Sequence, residues 1–319
     1  MKLLTILGAR PQFIKAAMVS RVIKGLEGIE TLIQQEQPDW VLVYGDTNSS
    51  LAGAMAAAKL QIPLVHVEAG LRSHNPSMPE EINRVFVDRF SSLLLCPTQT
   101  AVNNLQQEGF PFSAMATNGA HAPQRIVNIG DVMYDAVLHY RERAKEQISL
   151  DAFGLTHQNY TLCTLHRQEN TDDPKCLHSI LTALRDIAKE IPMLLPLHPR
   201  TKHKIEQQHN ADALNGITVL EPLSYLEMQR LQMSSKLILT DSGGMQKEAY
   251  FHQVPCITMR NETEWVETVE AGWNQLVGAN EEQILSAWRS AKPPSAPTEN
   301  LYGNGNAAEL VLSNFQVES

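Results

Sequence analysis

Apolar runs of strand length alternate with polar and amphipathic stretches along almost the whole chain of 319 residues. Several of these runs have no polar alternation, which is typical of parallel strands that are buried on both faces. Five predicted strands occupy the first half, at Lys2–Leu7, Trp40–Tyr44, Pro63–Val67, Leu93–Cys96 and Ile126–Ile129. Five more occupy the second half, at Tyr160–Thr164, Met193–Leu197, Ile217–Leu220, Leu237–Thr240 and Pro255–Thr258.

Helix-length stretches with an apolar period separate these strands, as at Ser49–Leu60, Glu81–Ser91, Pro174–Lys189 and Ser224–Met233. Repeated alternation of strand and helix predicts an α/β protein built from doubly wound, Rossmann-like sheets. Ligands of such sheets bind at the carboxyl ends of the strands, so the turns from strand to helix are the places to search for a site.

The strands fall into two groups, because their count starts again at Tyr160, after a helix-like bridge at Val132–Gln147. We predict an N-terminal α/β domain at residues 1–130 and a C-terminal α/β domain at residues 131–305. A last helical pattern, within residues 306–319, fits against either domain. Two facing domains of this kind bind a ligand in the cleft between them.

Composition and charge exclude several classes of function. The chain is 43% hydrophobic with a formal net charge of −9, which argues against nucleic acid as a partner. No run approaches the roughly 20 apolar residues of a membrane span, and the opening MKLLTIL is too short for a signal peptide. Four widely spaced cysteines without a CxxC pair predict reduced thiols. We therefore expect a soluble, cytoplasmic protein without a membrane partner.

The first predicted strand ends in the turn GARPQFIK, which carries Arg10 and Lys15 at the start of the next helix. This turn lacks the GxGxxG pattern, so no dinucleotide cofactor is expected. An arginine beside a helix N-terminus can bind an anion. An arginine that caps the loop or pairs with a neighbouring acid is the simpler alternative.

Acidic residues follow the next two predicted strands of the first half. Asp46 comes soon after the second strand, in a cluster that also suits helix capping. Glu68 directly follows the third strand, where a side chain points into a cleft. Glu80 and Glu81 begin a helix behind a proline, and we expect one of these two glutamates to be structural.

The second half has its own candidate turns. His166, in TLHRQEN, can act as an acid or base, contact phosphate or be an ordinary loop residue, and its surroundings do not have the spacing of a zinc site. The turn LTDSGGMQKEA predicts an anion site, because Ser242, Gly243 and Gly244 place free backbone N–H groups at a helix N-terminus. Glu248, further along that helix, is in reach of the sugar hydroxyls of a nucleotide.

Seven motifs in this order resemble those of the non-hydrolysing UDP-N-acetylglucosamine 2-epimerase family: GARPQFIK, GDTNSSLAGAMAAA, HVEAGLRS, PEEINR, TLHRQEN, TDSGGMQKEA and YGNGNAA. The resemblance runs from Met1 to about Ala308. It implies the two-domain glycosyltransferase-B fold, with the terminal helix returned to the first domain, and a homodimer. It also implies inversion at C2 of a UDP-2-acetamido sugar, by elimination and re-addition of UDP, with neither metal nor redox cofactor.

The resemblance assigns Asp46, Glu68 and Glu80 to proton transfer at C2, and His166 to the surroundings of the leaving diphosphate. The C2–H bond is only weakly acidic, so a base must take a proton and an acid must return one across the ring. Which carboxylate plays which part stays open.

The same resemblance assigns Arg10 and the amides of Ser242–Gly244 to the phosphates, Glu248 to the ribose hydroxyls and Lys15 to support of the first turn. These residues alone do not decide the reaction, because a fold does not fix a function. A UDP-sugar-dependent glycosyltransferase of the same fold is one alternative. A UDP-sugar sensor without catalysis is another.

Two departures from the family pattern stand out. Members carry a second strand and a GQHYD-like segment after the first helix, which help to form an allosteric UDP-sugar site, whereas here SRVIK runs straight into GLEGIE. We hypothesise that Lys24 and Gly25 are not neighbours in the natural chain, which leaves effector regulation open. Trp265 stands where familiar members have arginine, which is closer to the branch that acts on UDP-2,3-diacetamido-glucuronate for bacterial O-antigen.

Overall fold

The structure is a computed structural model, and it describes residues 2–6, 28–111, 124–197, 199–208, 211–295 and 300–315. Arg10, Lys15 and the junction of Lys24 with Gly25 lie outside these residues, and so do the expectations placed on them. The chain divides into two compact units. The first is Met1–Asp135 with Asn300–Ser319, and the second is Ala136–Glu299.

The first unit contains a sheet of five parallel strands in the order β1-β2-β3-β4-β5. Its strands are β1 (Leu3–Ile6), β2 (Trp40–Tyr44), β3 (Leu64–Val67), β4 (Leu93–Cys96) and β5 (Arg125–Asn128). All five match the predicted strands, with ends that differ by at most one residue. No described strand pairs with the outer edge of β1, which is where the sequence lacks the second strand expected of the family.

Helices cover both faces of this first sheet. They are α1 (residues 28–36), α2 (Asn48–Lys59), α3 (Pro79–Phe90), α4 (Gln99–Gln107), the start of α5 (Val132–Gln147) and α13 (Ala307–Ser313). Val41 and Val43 face the alanines of α2, whereas Leu42 between them faces Val311 of α13. Successive side chains of β2 thus point to opposite faces of the sheet, and both faces are buried. The helix α13 covers one of these faces.

Local sequence fixes where the helices of the first unit begin. The hydroxyl of Thr47 accepts from the backbone N–H of Ser50 and caps α2, and Thr98 caps α4 in the same way. Pro79 occupies the first position of α3, where its missing N–H leaves no hydrogen bond unmade. The starts of α2 and α4 lie just after the carboxyl ends of β2 and β4, so they mark the edge of the sheet on which a site can form.

The second unit contains six parallel strands in the order β11-β10-β9-β6-β7-β8. The order reverses beside β6, so this sheet is doubly wound and β6 and β9 are neighbours at its switch point. The strand β11 was not predicted, because it is a three-residue edge strand with two polar residues. The strands are β6 (Thr161–Thr164), β7 (Met193–Pro196), β8 (Ile217–Leu220), β9 (Leu237–Thr240), β10 (Cys256–Thr258) and β11 (Asn274–Leu276).

Two apolar clusters sandwich the second sheet, one built on α7 and α12 and the other on α9 and α10. The helices of this unit are α6 (Gln168–Thr171), α7 (Pro174–Ala188), α8 (Pro199–Gln208), α9 (Tyr225–Ser234), α10 (Gly243–Phe251), α11 (Val266–Glu270) and α12 (Glu281–Ser290). All four cysteines of the chain are unpaired, and three of them are buried. Among the described helices, none has the length and apolar content needed to span a membrane.

Candidate functional site

Two acidic residues meet at the carboxyl edge of the first sheet. Tyr44 at the end of β2 pairs with Val67 at the end of β3, so the turns after these strands are neighbours. Gly45 and Glu68 both adopt the left-handed backbone conformation, with φ of +57° and +76°. A Cβ on Gly45 would stand 3.0 Å from Oε2 of Glu68, so glycine makes room for this carboxylate. Asp46 is the next residue, and the structure thus brings Asp46 and Glu68 together.

The buried guanidinium of Arg84, on α3, joins two acids of this edge. Its Nη2 pairs with the carboxylate of Asp46, and its Nη1 lies 2.7 Å from Oε2 of Glu81. Glu81 is also buried and accepts from the backbone N–H of Ser73 at 2.9 Å and from that of the following residue at 3.0 Å. Glu81 is therefore the glutamate that orders the loop before α3.

Glu80 differs from its neighbour in every one of these respects. It is half-buried in the first turn of α3, and within the described chain its side chain makes no hydrogen bond or ion pair. The three carboxylates of the first unit thus differ in their contacts. Asp46 is ion-paired with Arg84, and the carboxylate of Glu68 lies against Gly45. The oxygens of Glu80 have no hydrogen-bond partner among the described residues.

In the second unit, the buried carboxylate of Asp241 at the end of β9 organises the loop that follows β6. It accepts from the backbone N–H groups of His166 and Arg167, at 3.0 and 2.8 Å, and lies 2.9 Å from Nδ1 of His166. The imidazole is 52% exposed, so Nε2 is the ring nitrogen that it presents outward. Burial alone would raise the pKa of Asp241, but the hydrogen bonds and charge of His166 outweigh it and lower that pKa.

The N-terminus of α10 lies directly after Asp241, and its two glycines have different surroundings. A Cβ on Gly243 would stand 2.3 Å from Oε1 of Glu264 and 3.2 Å from Nε1 of Trp265, so protein packing requires this glycine. Among the residues that the structure describes, a Cβ on Gly244 would meet only Oγ of Ser242, at 4.0 Å. The side chain of Ser242 makes no capping hydrogen bond. The helix start is thus open beside Gly244, where an anion can approach the backbone.

Two further side chains of α10 are buried. Oε2 of Glu248 accepts from Nε2 of Gln232, on α9, at 2.5 Å. The ammonium of Lys247 lies 4.0 Å from the ring centre of Trp265, a cation–π contact. Trp265 thus places an aromatic ring against a buried lysine.

The sequence did not predict the partners that hold these groups. Arg84 lies in the quoted motif PEEINR, and its spacing of three from Glu81 is the helical spacing at which such a pair forms. Asp241 lies in TDSGG, directly after a strand that is adjacent to the strand before His166. The spacing of Arg84 and Glu81 could have been recognised in the sequence. The contact of Asp241 with His166 could be recognised only once the strand order was known.

Comparisons with known proteins show the family to which the chain belongs. The chain matches the family model described as UDP-N-acetylglucosamine 2-epimerase over residues 14–316. It is 42% identical to a UDP-2,3-diacetamido-2,3-dideoxy-D-glucuronate 2-epimerase from Pseudomonas aeruginosa, covering 98% of both chains. It is 40% identical to a UDP-N-acetylglucosamine 2-epimerase from Methanocaldococcus jannaschii, covering 91% of this chain and 78% of that one.

Solved structures give the same result. A crystal structure of the Methanocaldococcus jannaschii UDP-GlcNAc 2-epimerase in complex with UDP-GlcNAc and UDP has a TM-score of 0.84 at 38% identity, covering 96% of this chain and 84% of that one. The Neisseria meningitidis enzyme bound to UDP-GlcNAc has a TM-score of 0.82 at 28% identity, covering 96% and 83%. The fold is of the glycosyltransferase-B type. The chain belongs to the UDP-N-acetylglucosamine 2-epimerase family, whose members are isomerases.

This chain is shorter than the Pseudomonas aeruginosa relative. Their alignment spans 363 positions and this chain has 319 residues, so at least 44 positions of the alignment have no residue of this chain. A difference of this size is enough for a strand with its connections, which agrees with the unpaired edge of β1 in the described residues.

Proposed function

We propose that the protein inverts C2 of a UDP-2-acetamido sugar by eliminating UDP and adding it back after a proton has been returned to the opposite face of C2. Family membership supports an epimerisation. The observation that carries the proposal is the position of Asp46 and Glu68 at one sheet edge. Glu80, in the helix α3 that follows, has a side chain without a hydrogen bond or ion pair to any described residue. A glycosyltransferase needs a single base, whereas exchange of a proton across a ring calls for an acid and a base.

The second unit supplies the binding of UDP in this proposal. The N–H of Ser242, which the sequence predicted to be free, donates instead to Oγ1 of Thr240 at 2.9 Å. The amides of Gly243 and Gly244 at the start of α10 would donate to the diphosphate, because the helix dipole favours an anion there.

His166 presents Nε2 outward from its contact with Asp241. When both ring nitrogens carry a proton, Nε2 would donate to the departing diphosphate while Asp241 balances the charge of the ring. Such donors stabilise the negative charge that develops on UDP as the bond to C1 breaks. Glu248 would accept from the ribose.

The three carboxylates of the first unit take different parts. Asp46 is ion-paired with Arg84, which fixes its orientation, so we assign it to orienting the ring and its developing charge. Glu68 and Glu80 are the two that exchange protons with C2. Their order, base or acid, reverses with the direction of the reaction, as microscopic reversibility demands.

The substrate is either UDP-N-acetylglucosamine or its 2,3-diacetamido-glucuronate counterpart. Similarity across 98% of both chains to the Pseudomonas aeruginosa enzyme, together with Trp265 in the arginine position, favours the diacetamido-glucuronate. The product would then be a precursor of a bacterial surface polysaccharide. Four unpaired cysteines suit the reducing cytoplasm, which we propose as the location.

Incubation of the protein with each UDP-sugar, without any acceptor, tests the proposed function. We expect a C2 epimer to appear in the proton NMR spectrum, with the diacetamido-glucuronate turned over faster. Transfer of the sugar to an added acceptor without epimer formation would favour the glycosyltransferase, and binding without any change would favour the sensor.

We further propose that the chain forms a homodimer through an apolar face of α3. Ile82, Val85, Phe86 and Phe90 are exposed on one side of this helix, and Phe86 is 51% exposed. The same face carries a pocket lined by Val85, Phe86, Arg89, Glu108 and Phe110. A face that has both a projecting phenylalanine and an apolar pocket is complementary to itself, which is the condition for a two-fold interface.

A further inference from the structure

A chain of four charged groups adjoins the turns that follow β2 and β3, and three of them, His66, Asp88 and Arg72, are buried. His66, the second-last residue of β3, is fully buried, and its Nδ1 lies 2.6 Å from Oδ1 of Asp88 on α3. Its Nε2 lies 3.0 Å from the backbone carbonyl oxygen of Gly45. Oδ2 of Asp88 also pairs with Nη1 of Arg72 at 2.7 Å. Nε and Nη2 of Arg72 donate to the two carboxylate oxygens of Glu108, at 2.6 and 2.8 Å.

Both partners of the His66 ring are acceptors. A carbonyl oxygen can only accept, and Asp88 is a carboxylate whose oxygens also accept from Arg72 and from the backbone N–H of Gly70. Each nitrogen of the ring must therefore carry a proton, so the ring is an imidazolium.

The surroundings of His66 can hold a buried charge. Two cations, at His66 and Arg72, alternate with two anions, at Asp88 and Glu108, so the chain of four is neutral as a whole. A buried charge is tolerated when it is paired and hydrogen-bonded in this way.

The contact with Gly45 connects His66 to the proposed reaction. The carbonyl oxygen that accepts from Nε2 belongs to the peptide group that joins Gly45 to Asp46. The hydrogen bond therefore fixes the orientation of this peptide plane and, with it, the position of Asp46. Glu68 follows His66 by two residues, and its carboxylate lies against the same glycine. We propose that His66 is a buried imidazolium that positions Asp46 and Glu68 for epimerisation. The positioning part rests on the proposed function, whereas the protonation part does not.

A second buried histidine provides an internal comparison. Nε2 of His252, the residue that caps the C-terminus of α10, contacts Oε1 of Gln229 at 2.7 Å, and Nδ1 has no partner among the described residues. Burial, with the charges of Arg141 and Lys145, lowers the pKa of His252 to about 3. One buried ring is therefore doubly protonated and the other is neutral.

Nitrogen NMR of protein labelled with ¹⁵N-histidine counts these protons. At pH about 8 an ordinary histidine carries a proton on only one nitrogen. We expect one ring that has N–H protons on both nitrogens, both protected from exchange with water, and we expect its signals to vanish in His66→Gln. Neutron diffraction from the unchanged protein gives the same count without any variant. A single proton on the His66 ring would overturn the proposal.

Two variants then separate the contacts of the ring. In His66→Gln the amide nitrogen reaches the place of Nε2 and keeps the donor to Gly45, whereas in His66→Asn it takes the place of Nδ1 and keeps the donor to Asp88. We expect kcat to fall by about 10²-fold in His66→Asn and much less in His66→Gln, with KM little changed in both, because small misplacements of catalytic groups have effects of that size. His157→Gln, at an exposed loop position, is the control.

Wild-type kcat in a folded His66→Asn would overturn the positioning role. A wild-type protein that epimerises neither UDP-sugar would instead contradict the proposed function, and the proton count on His66 would be unaffected by that failure. The epimerisation assay therefore tests the proposed function, and the proton count tests the charge of His66, independently of each other.

Discussion

Nδ1 of His166 lies 2.9 Å from the buried carboxylate of Asp241, which also accepts from the backbone N–H of the same histidine. The acid that begins the turn into α10 therefore sets both the position and the tautomer of the ring, with a proton on Nδ1 and Nε2 turned outward. One residue thus couples the two parts of the second unit that we assign to the diphosphate.

Asp241→Asn is expected to reduce kcat by about 10²-fold or more, because an uncharged amide that donates to Nδ1 disfavours the doubly protonated ring that donates to the diphosphate. Asn170→Ala removes a weaker contact to Asp241, at 3.4 Å, together with one to a backbone carbonyl. This control is expected to reduce kcat much less. Equal kcat values for the two variants would show that loop order, not the protonation of the histidine, is what Asp241 provides.

Substitution of the two glutamates at the start of α3 is expected to change different properties of the protein, catalysis for Glu80 and stability for Glu81. Glu80→Gln removes a carboxylate without a described partner, so we expect stability to be kept and kcat to fall by about 10²-fold or more. Glu81→Gln breaks a buried ion pair with Arg84, so we expect a loss of about 3 kcal/mol in the free energy of unfolding. Denaturant unfolding and steady-state kinetics on both variants check this. The reverse pattern would exchange the two roles.

The two glycines of α10 form a second matched pair. A methyl group on Gly244 meets open space, so Gly244→Ala is expected to stabilise the helix by about 0.5–1 kcal/mol and to weaken UDP binding by about tenfold or more. A methyl group on Gly243 collides with Glu264, so Gly243→Ala is expected to destabilise the fold by about 1–3 kcal/mol. Calorimetric titration with UDP and thermal unfolding measure both effects. Unchanged UDP affinity in Gly244→Ala would remove the diphosphate from this helix.

Acid is expected to destabilise both units. The pKa values of Asp88 and Asp241 are lowered in the folded state, where His66, Arg72 and His166 outweigh the opposing effect of burial. A lowered pKa contributes stability that is present above the unfolded value of about 3.9 and is lost as the pH falls through the folded pKa. The unfolding temperature should therefore decline below pH about 4. In Asp88→Asn this decline should be shallower, from a lower starting temperature, and an equally steep decline would argue against the assignment.

The apolar face of α3 makes a prediction about assembly. Phe86→Glu places a charge at the centre of that face and is expected to convert the dimer to a monomer in light scattering. Leu312→Glu is the matched control, because Leu312 is 64% exposed on α13, a different helix. A protein that is monomeric before any substitution, or a dimer that survives Phe86→Glu, would contradict the proposed interface.

The sequence predicted the strands well, because fully apolar runs such as Leu93–Cys96 have no alternative to a buried strand. It did not predict β11, whose residues Asn274–Leu276 are short and partly polar. It placed Asp46 and Glu68 at strand ends, and the pairing of Tyr44 with Val67 explains why those ends are neighbours.

The partners of the candidate residues were beyond the sequence. Nothing local distinguishes Glu80 from Glu81, since both suit a helix start, and only the fold shows that Arg84 and the loop at Ser73 use the second. The contact of Asp241 with His166 spans 75 residues and depends on β9 lying beside β6. Long-range order of this kind is a property of the sheet topology, which periodicity does not reveal.

Solvent deuterium exchange tests the central claim most directly. The protein is incubated in D₂O with UDP-N-acetylglucosamine or the diacetamido-glucuronate, and the C2 proton is followed by NMR. The account predicts that deuterium enters C2 of product and substrate together, and that Glu80→Gln slows its entry. An epimer that keeps its original C2 proton, or no exchange with either sugar, would contradict it.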